Sequence, residues 1–504
     1  AGGPYDSDSS WSVDGQPAGL PGSAPDTVTE SARFALPTDF TVGLTPGSDT
    51  SVNNFEVASG VNLTLGFDNA SAASGDASID AAGKLTIDGG TLDTEDSANG
   101  WSIDLEAGTL ELLSGGVLTL DGMASLTANQ TTVDRGIGGL PSRLRLEADT
   151  NHSLGVVSIG ESGSGPLGGE LDITAGAETT AAAVTVASTG AGQSGVISIF
   201  GASLEQSGAT QLTIGADAAT GSGLVFVGNG GELTAGAGGV RINPTGRLQN
   251  TGGHVTFDGD LTIAGGVYRE QSDGERSFAA DSRIEVQAGG SLELDSETLS
   301  LAGTQTLSVA GDGSEVTSDG DLLLGADATL EVAFATASVS EAPLQFDGSA
   351  ELLGSLVVSI DDLSTPSLGE TLPILEADAF TDVALGLTAP ALAAGLGWEL
   401  QTSSGLLQLA VVEAPTLGDY NGDGSVNAAD YPILRDITDS GGTDSGVDEW
   451  LANFGAASPA VVSAAVNTVA IPEPSTLPLL VAALGVRTRR AVRRHSVPAA
   501  GAKH

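Results

Sequence analysis

The sequence predicts an all-β protein whose body is a right-handed parallel β-helix, and three observations favour this fold. Short segments of alternating apolar and polar residues recur between glycine-rich turns from about residue 60 to residue 332, as in 83–90 and 290–295. The 504 residues include 72 glycines and no cysteine, so burial and backbone pairing alone must stabilise the fold. No long stretch of the body has the apolar spacing of a helix.

The alternation predicts which side chains lie inside. Leu85 and Ile87 would share one buried face, and so would Leu292 and Leu294. Strands this short need neighbours, so we expect coils of roughly 20 to 25 residues, each burying its inward residues against the next. A series of β-sandwiches is the competing fold, but the many small inward residues favour the solenoid.

The solenoid is expected over 51–345, with different segments at its two ends. Residues 1–50 would cover the first coil, because an open strand edge templates aggregation. Their order of Trp11, Pro21, Asp26 and Phe34 resembles the segment that precedes autotransporter-like repeats in bacterial surface proteins. Residues 346–413 are more apolar and predict a C-terminal β cap or small sandwich, with strands at Leu352 to Ile360, Thr371 to Leu375 and Leu406 to Val412.

The charge balance excludes one class of partner. With 65 acidic and 17 basic residues, the net charge is -48. Phosphate binding requires clustered Lys and Arg, so nucleic acid is not an expected ligand. Such an anionic surface favours cations and repels other copies of the chain.

A twelve-residue segment, 419–430, predicts a calcium loop that opens a module over 416–456. Gly424 supplies the sharp turn at the sixth position, and Val426 would pack against the core. Oxygen ligands are expected from the side chains of Asp419, Asn421, Asp423, Asn427 and Asp430 and from the backbone carbonyl of Ser425.

This segment resembles a dockerin type I repeat, which has Asp at the twelfth position. The resemblance implies a helix at Tyr431 to Asp436, a second helix at Glu449 to Gly455, bound Ca²⁺ and a cohesin-like domain as a candidate partner. Dockerins carry two loops, whereas residues 439–448 have lost the Asp-x-Asn-x-Asp-Gly order.

After a linker at 457–470, the chain carries a segment typical of sorting signals. Ile471 to Thr476 contains Pro472, Glu473 and Pro474, and the apolar run Leu477 to Val486 is followed by the arginines 487, 489, 490, 493 and 494. Ten apolar residues are half of the roughly 20 that a membrane span requires. The cationic block resists crossing a membrane, so a processed signal with transient membrane retention is expected.

The order in 471–494 resembles the PEP-CTERM sorting signal of exported bacterial proteins, followed here by a tail at 495–504. The resemblance implies a short C-terminal helix and recognition of Pro472, Glu473 and Pro474 by an exosortase-like sorting enzyme. It also implies export to the cell surface or the extracellular space.

Together these features predict a non-enzymatic structural or adhesive protein of the cell surface or matrix, with exopolysaccharide as a candidate partner. The alternative is a polysaccharide lyase or glycoside hydrolase on the same β-helix. Its candidate residues are His254 and a basic set formed by Arg143, Arg145, Arg241, Arg247, Arg269, Arg276 and Arg283.

Overall fold

A computed structural model describes the chain in two compact units, Ala1–Pro415 and Thr416–His504. The described residues are 12–13, 16–17, 31–34, 39–44, 49–57, 62–67, 77–88, 91–94, 101–105, 108–121, 124–134, 141–147, 150–161, 168–187, 194–217, 221–271, 273–295, 298–336, 339–362, 366–414, 418–421, 425–439 and 445–455.

Short strands make up the first unit. Its first part contains β1 (Ser12–Val13), β2 (Gln16–Pro17), β3 (Ser31–Phe34), β4 (Asp39–Leu44), β5 (Asp49–Val57), β6 (Asn62–Phe67), β7 (Ala77–Asp88), β8 (Thr91–Thr94), β9 (Trp101–Asp104), β10 (Thr109–Leu113), β11 (Val117–Leu120), β12 (Ala124–Thr127), β13 (Gln130–Val133), β14 (Ser142–Leu146), β15 (Asn151–Ser153) and β16 (Val156–Ile159). The middle contains β17 (Gly169–Thr174), β18 (Glu178–Ala181), β19 (Ala183–Val186), β20 (Ser194–Phe200), β21 (Ser203–Gln206), β22 (Leu212–Ile214), β23 (Ser222–Val227), β24 (Glu232–Ala235), β25 (Val240–Ile242), β26 (Gly246–Thr251), β27 (His254–Phe257), β28 (Leu261–Ala264), β29 (Val267–Gln271) and β30 (Glu275–Phe278). The last part contains β31 (Arg283–Gln287), β32 (Ser291–Leu294), β33 (Leu299–Leu301), β34 (Thr306–Ala310), β35 (Glu315–Ser318), β36 (Leu322–Leu324), β37 (Thr329–Thr336), β38 (Leu344–Leu352), β39 (Ser355–Asp362), β40 (Thr371–Val383), β41 (Gly386–Thr388), β42 (Leu396–Ser403) and β43 (Leu406–Glu413).

Most of these strands stack in parallel into three ladders, whereas β1 and β2 form a separate antiparallel pair. The first ladder runs β3, β5, β7, β10, β13, β16, β19, β22, β25, β28, β31, β34, β37, β39, β41. The second runs β4, β6, β8, β11, β14, β17, β20, β23, β26, β29, β32, β35, β38, β40. The third runs β7, β9, β12, β15, β18, β21, β24, β27, β30, and β33, β36, β38 form a further parallel series.

Consecutive strands of the chain therefore fall into different ladders, and each strand pairs with its counterpart one coil later. This pattern confirms the predicted β-solenoid. The sandwich alternative is wrong for the body, because sandwiches are built from antiparallel sheets.

The core consists of the inward residues of successive coils. One column in the second ladder is Leu144, Leu171, Ile197, Val225 and Leu248, which are paired in register and fully buried. Adjacent strands lie about 4.8 Å apart, so each of these side chains packs on the next coil. The predicted inward pairs, including Leu292 and Leu294, are buried as well.

Coil length varies around this constant core. His254 and Glu275 are in-register neighbours 21 residues apart, whereas Arg143 and Glu170 are 27 apart. The longest coils exceed the expected 20 to 25 residues because the extra residues are placed in turns. Where turns stack closely, glycine is required: Gly215 has φ +76°, and a Cβ there would lie 2.2 Å from the backbone N of Gly246.

Parallel pairing extends beyond the predicted limits of the solenoid. At the N-terminal side, β3 pairs with β5 and β4 with β6. At the C-terminal side it continues through β39 and β41, after which β43 pairs antiparallel with both β40 and β42. This antiparallel end corresponds to the predicted C-terminal β cap.

One cluster of charged residues is buried inside the solenoid. Tyr268 and Glu270 face inward from β29, and both are 0% exposed. The Arg276 guanidinium donates to Glu270 Oε1, and Tyr268 Oη donates to Glu270 Oε2 at 2.9 Å. Asn250 is buried beside them and donates through Nδ2 to the carbonyl of Glu275 at 2.9 Å. The carboxylate is thus paired and hydrogen-bonded, as a buried charge must be.

The second unit contains two helices, α1 (Tyr431–Asp439) and α2 (Ser445–Asn453). They lie at the two predicted helical segments, although α2 begins four residues before Glu449. In the described part of the chain, helices are too short and too polar to cross a bilayer. The predicted C-terminal helix lies outside the described residues.

Candidate calcium site

The predicted loop runs directly into α1. Asp419, Asn421, Ser425, Asn427 and Asp430 are described, whereas Asp423 and Gly424 lie outside the described residues. The loop ends at Asp430, and the N–H of Leu434 donates to the Asp430 carbonyl at 3.0 Å as the helix begins.

The Asp430 side chain forms hydrogen bonds with the backbone of its own loop. It is 0% exposed, and its carboxylate accepts hydrogen bonds from the N–H of Asn427 at 2.7 Å and of Asn421 at 2.9 Å. The N–H of Asn427, followed by those of Asn421 and Tyr420, lowers the pKa of Asp430 below its ordinary value. The twelfth position is therefore an ionised carboxylate that the backbone of the loop surrounds.

Residues of α2 and of the turn after it form hydrogen bonds with the backbone of the loop. Trp450 donates through Nε1 to the carbonyl of Asn427 at 3.0 Å, and the N–H of Gly455 donates to the carbonyl of Val426 at 2.8 Å. The centroid of the Trp450 ring lies 5.3 Å from that of Tyr431 and 4.9 Å from that of Phe454. Val426 is fully buried, as its place in the loop predicts. The sequence pattern did not indicate the contact from Trp450, because the pattern describes the ligands alone.

The donor set fits a hard cation. Carboxylate, amide and carbonyl oxygens are the ligands that Ca²⁺ takes, and Asp419 and Asp430 supply two carboxylates. The Ser425 carbonyl accepts from Asn427 Nδ2 at 3.0 Å, and Asn427 Oδ1 accepts from the N–H of Ala429 at 2.7 Å, so these groups are held in the loop. Within the described ranges, no group of three His, Cys, Asp or Glu side chains lies close enough together to hold a metal ion, and Asp423 lies outside those ranges.

The basic set expected for a lyase does not converge on one face. Four of its arginines lie on the outward side of the second ladder: Arg143, Arg145, Arg247 and Arg269. Arg241 and Arg283 lie on the first ladder, and Arg276 is buried against Glu270. The seven arginines are thus distributed over three ladders, and no single face carries them all.

His254 lies in a polar row on the third ladder. Its Nδ1 is 3.4 Å from Glu275 Oε2, and its Nε2 is 3.4 Å from Ser277 Oγ. The Glu275 side chain is 78% exposed, and Ser277 also donates to Thr256 Oγ1 at 3.1 Å. The row is open to solvent along the surface of the sheet.

The sorting residues Pro472, Glu473 and Pro474 lie outside the described residues. No protein-family model and no curated protein matches this chain.

Proposed function

We propose that this chain is an exported structural or adhesive protein of the cell surface or extracellular matrix, built from a β-solenoid, a calcium module and a C-terminal sorting signal. The observation that carries the proposal is the regular parallel solenoid, whose interior is packed with aliphatic side chains and whose outer faces present polar columns. Such a surface offers repeated attachment points along a rigid core.

Incubation of the full chain with acidic and neutral polysaccharides tests this function. A scaffold is expected to leave the polymers intact, so no new reducing ends and no unsaturated products should form. Reproducible cleavage that scales with protein concentration would overturn the structural role.

The hydrolase alternative has one histidine to consider. His254 lies between Ser277 and Glu275, with Nε2 3.4 Å from Ser277 Oγ and Nδ1 3.4 Å from Glu275 Oε2. Such a row is suited to acyl transfer, whereas glycoside hydrolysis uses a pair of carboxylates. We favour the scaffold because Glu275 is largely solvated and the Ser277 hydroxyl is shared with Thr256. If cleavage were observed and His254→Gln abolished it, the hydrolase would replace the scaffold.

The module at 416–456 would bind Ca²⁺ through Asp419, Asn421, Asp423, Asn427, Asp430 and the Ser425 carbonyl. Bound calcium would cross-link the loop, while Asp430 and Trp450 hold its ends. Ile433 on α1 and Leu451 on α2 are 39% and 60% exposed, and Phe454, directly after α2, is 54% exposed. Exposed apolar side chains of this kind support a protein partner, and a cohesin-like domain is the proposed class.

Export and release would depend on the tail at 471–494. We expect an exosortase-like enzyme to recognise Pro472, Glu473 and Pro474, so that membrane retention is transient. Replacing these three residues by alanine in the producing cell should leave the chain in the membrane fraction, whereas the unaltered chain should reach the surface or the medium. Equal distribution of the two chains would contradict this role.

A further inference from the structure

Among the residues that the structure describes, one guanidinium of the solenoid has no acidic partner. Each of the other arginines whose side chains the structure describes has a carboxylate oxygen within 4.0 Å. Arg247 on β26 has none among the described residues, and its Nε is buried without a hydrogen-bond partner. In a chain with 65 acidic residues, an unpaired cation is an unexpected feature that a ligand carboxylate would complete.

The neighbours of Arg247 on this face are apolar. In the register of the second ladder, Arg247 lies between Leu224 on β23 and Val267 on β29. All three side chains are partly exposed. The guanidinium thus has an aliphatic side chain on each neighbouring strand and is partly removed from water, which strengthens its attraction for an anion.

An aromatic pair lies on the same outward face. Phe226 is on β23, the strand next to Arg247, two positions beyond Leu224, the in-register neighbour of Arg247. Phe200 is on β20, one strand further away. Phe200 is 42% exposed, and its ring centroid is 5.2 Å from that of Phe226. A Cβ at Gly228 would lie 2.1 Å from Phe200 Cε1, so the ring covers the backbone of Gly228 directly. Glycine at this position therefore allows the ring to rest on the sheet and leaves its other side open to solvent.

Amide groups complete the surface. Gln249 is the in-register neighbour of Phe226 and follows Arg247 by two residues on the same strand. Its amide meets that of Gln271 at 3.1 Å. Amides supply both donors and acceptors, which is what sugar hydroxyls require.

We propose that Phe200, Phe226, Arg247 and Gln249 form a binding site for an acidic polysaccharide whose sugars carry carboxylates. The apolar face of a uronate ring would stack on the aromatic pair, its carboxylate would pair with Arg247, and its hydroxyls would bond to Gln249. Phe226 and Arg247 are diagonal neighbours on adjacent parallel strands, and the strand spacing and the rise per residue place them about 8 Å apart. Phe200 lies one strand further from Arg247. This proposal rests on the scaffold function and names its ligand class.

The excess negative charge of the chain narrows the choice of probe. A long polyanion would be repelled by the rest of the surface, with a range of about 10 Å at 0.1 M salt. A uronate trisaccharide and its methyl ester avoid this repulsion and differ only in their carboxylates. Calorimetry of the full chain in 0.15 M salt and a calcium chelator should show binding of the acid form and at least about tenfold weaker binding of the ester.

Arg247→Gln should remove that preference, whereas Arg143→Gln on the same ladder should retain it, because Arg143 is already paired with Glu170. Gly228→Ala should weaken binding of both sugars several-fold by displacing the Phe200 ring. Circular dichroism confirms that each variant keeps its strands.

Equal affinity for acid and ester, equal losses in the Arg247 and Arg143 variants, or no binding at millimolar sugar would overturn the site. Shortened or unsaturated products in the same solution would instead refute the non-catalytic scaffold. The effect of Arg247→Gln on the affinity could still be measured in that case.

Discussion

At the scale of single residues, the buried Glu270 is the strongest constraint on the solenoid. The Arg276 side chain is 7% exposed and Glu270 is 0% exposed, so neither charge is solvated by water. We expect Arg276→Met to lower the free energy of unfolding by roughly 3–5 kcal/mol, because it leaves a carboxylate buried without its cation. Urea denaturation monitored by circular dichroism measures this loss.

The double variant Arg276→Met with Glu270→Leu separates the charge from the packing. Replacing both partners by apolar residues of similar volume removes the unpaired charge, so much of the lost stability should return. A double variant that is no more stable than Arg276→Met alone would show that the pair is not the source of the effect.

Tyr268 makes stability depend on alkaline pH. Burial, followed by the nearby charge of Glu270, raises the pKa of Tyr268 well above 10.0 in the folded protein. The unfolded chain loses this proton near about pH 10 and then binds fewer protons than the folded chain. The contribution of Tyr268 is therefore fully present below that pH and is lost as pH rises towards the folded pKa.

The prediction is checked by comparing unfolding curves of the protein and Tyr268→Phe between pH 8 and pH 11. The unaltered protein should lose stability more steeply above about pH 10. Parallel curves for the two proteins would contradict the buried location of this phenol.

The alternation of residues predicted the inward Leu and Ile side chains but not this polar cluster. Tyr268 and Glu270 alternate correctly in Val267–Gln271, yet nothing in that segment distinguishes an inward from an outward glutamate. The Arg276 partner comes from the following strand, and its place depends on the length of the turn. The alternation of residues along one strand does not predict a pairing between side chains of different strands.

At the scale of elements, strand β26 has an inward and an outward residue at adjacent positions. On β26, Leu248 is 0% exposed, and Gln249 faces outward. We expect Leu248→Ala to lower the free energy of unfolding by about 2–5 kcal/mol and Gln249→Ala by about 0.5 kcal/mol or less. Thermal unfolding of the two variants gives the comparison, and similar losses would contradict the register of β26.

The pairing of strands into ladders could not be predicted from the individual strands. Alternation and turns predicted short strands and a solenoid, but the assignment of strands to three ladders requires the register of each coil. Arg241 and Arg247 are six residues apart and lie on different ladders. The basic set is therefore spread over the ladders, and the place of Arg247 one strand away from Phe226 follows only from the register of the coils.

At the scale of the whole molecule, the net charge of -48 opposes compaction. Screening shortens the range of this repulsion from about 30 Å at 0.01 M salt to about 10 Å at 0.1 M. We therefore expect the melting temperature to rise over this range. Calorimetric scans in potassium chloride measure this shift, because K⁺ competes only weakly with Ca²⁺. A melting temperature that falls as salt is added would show that the loss of screened ion pairs outweighs the reduced repulsion.

The calcium ligands are still a prediction, whereas the two helices of the second unit were predictable from the local sequence and its resemblance to a dockerin repeat. The buried Asp430 and the support from Trp450 were not, because they depend on how α2 packs on the loop. The sorting signal is still a prediction from sequence and gives the molecule its proposed location.

Calorimetric titration of the calcium-free chain with Ca²⁺ tests the calcium module. We expect one binding event with measurable heat, lost in Asp423→Ala and retained in the matched variant Asp436→Ala, whose carboxylate is exposed on α1 outside the loop. Heat that is absent from the unaltered chain, or unchanged in Asp423→Ala, would contradict the calcium module.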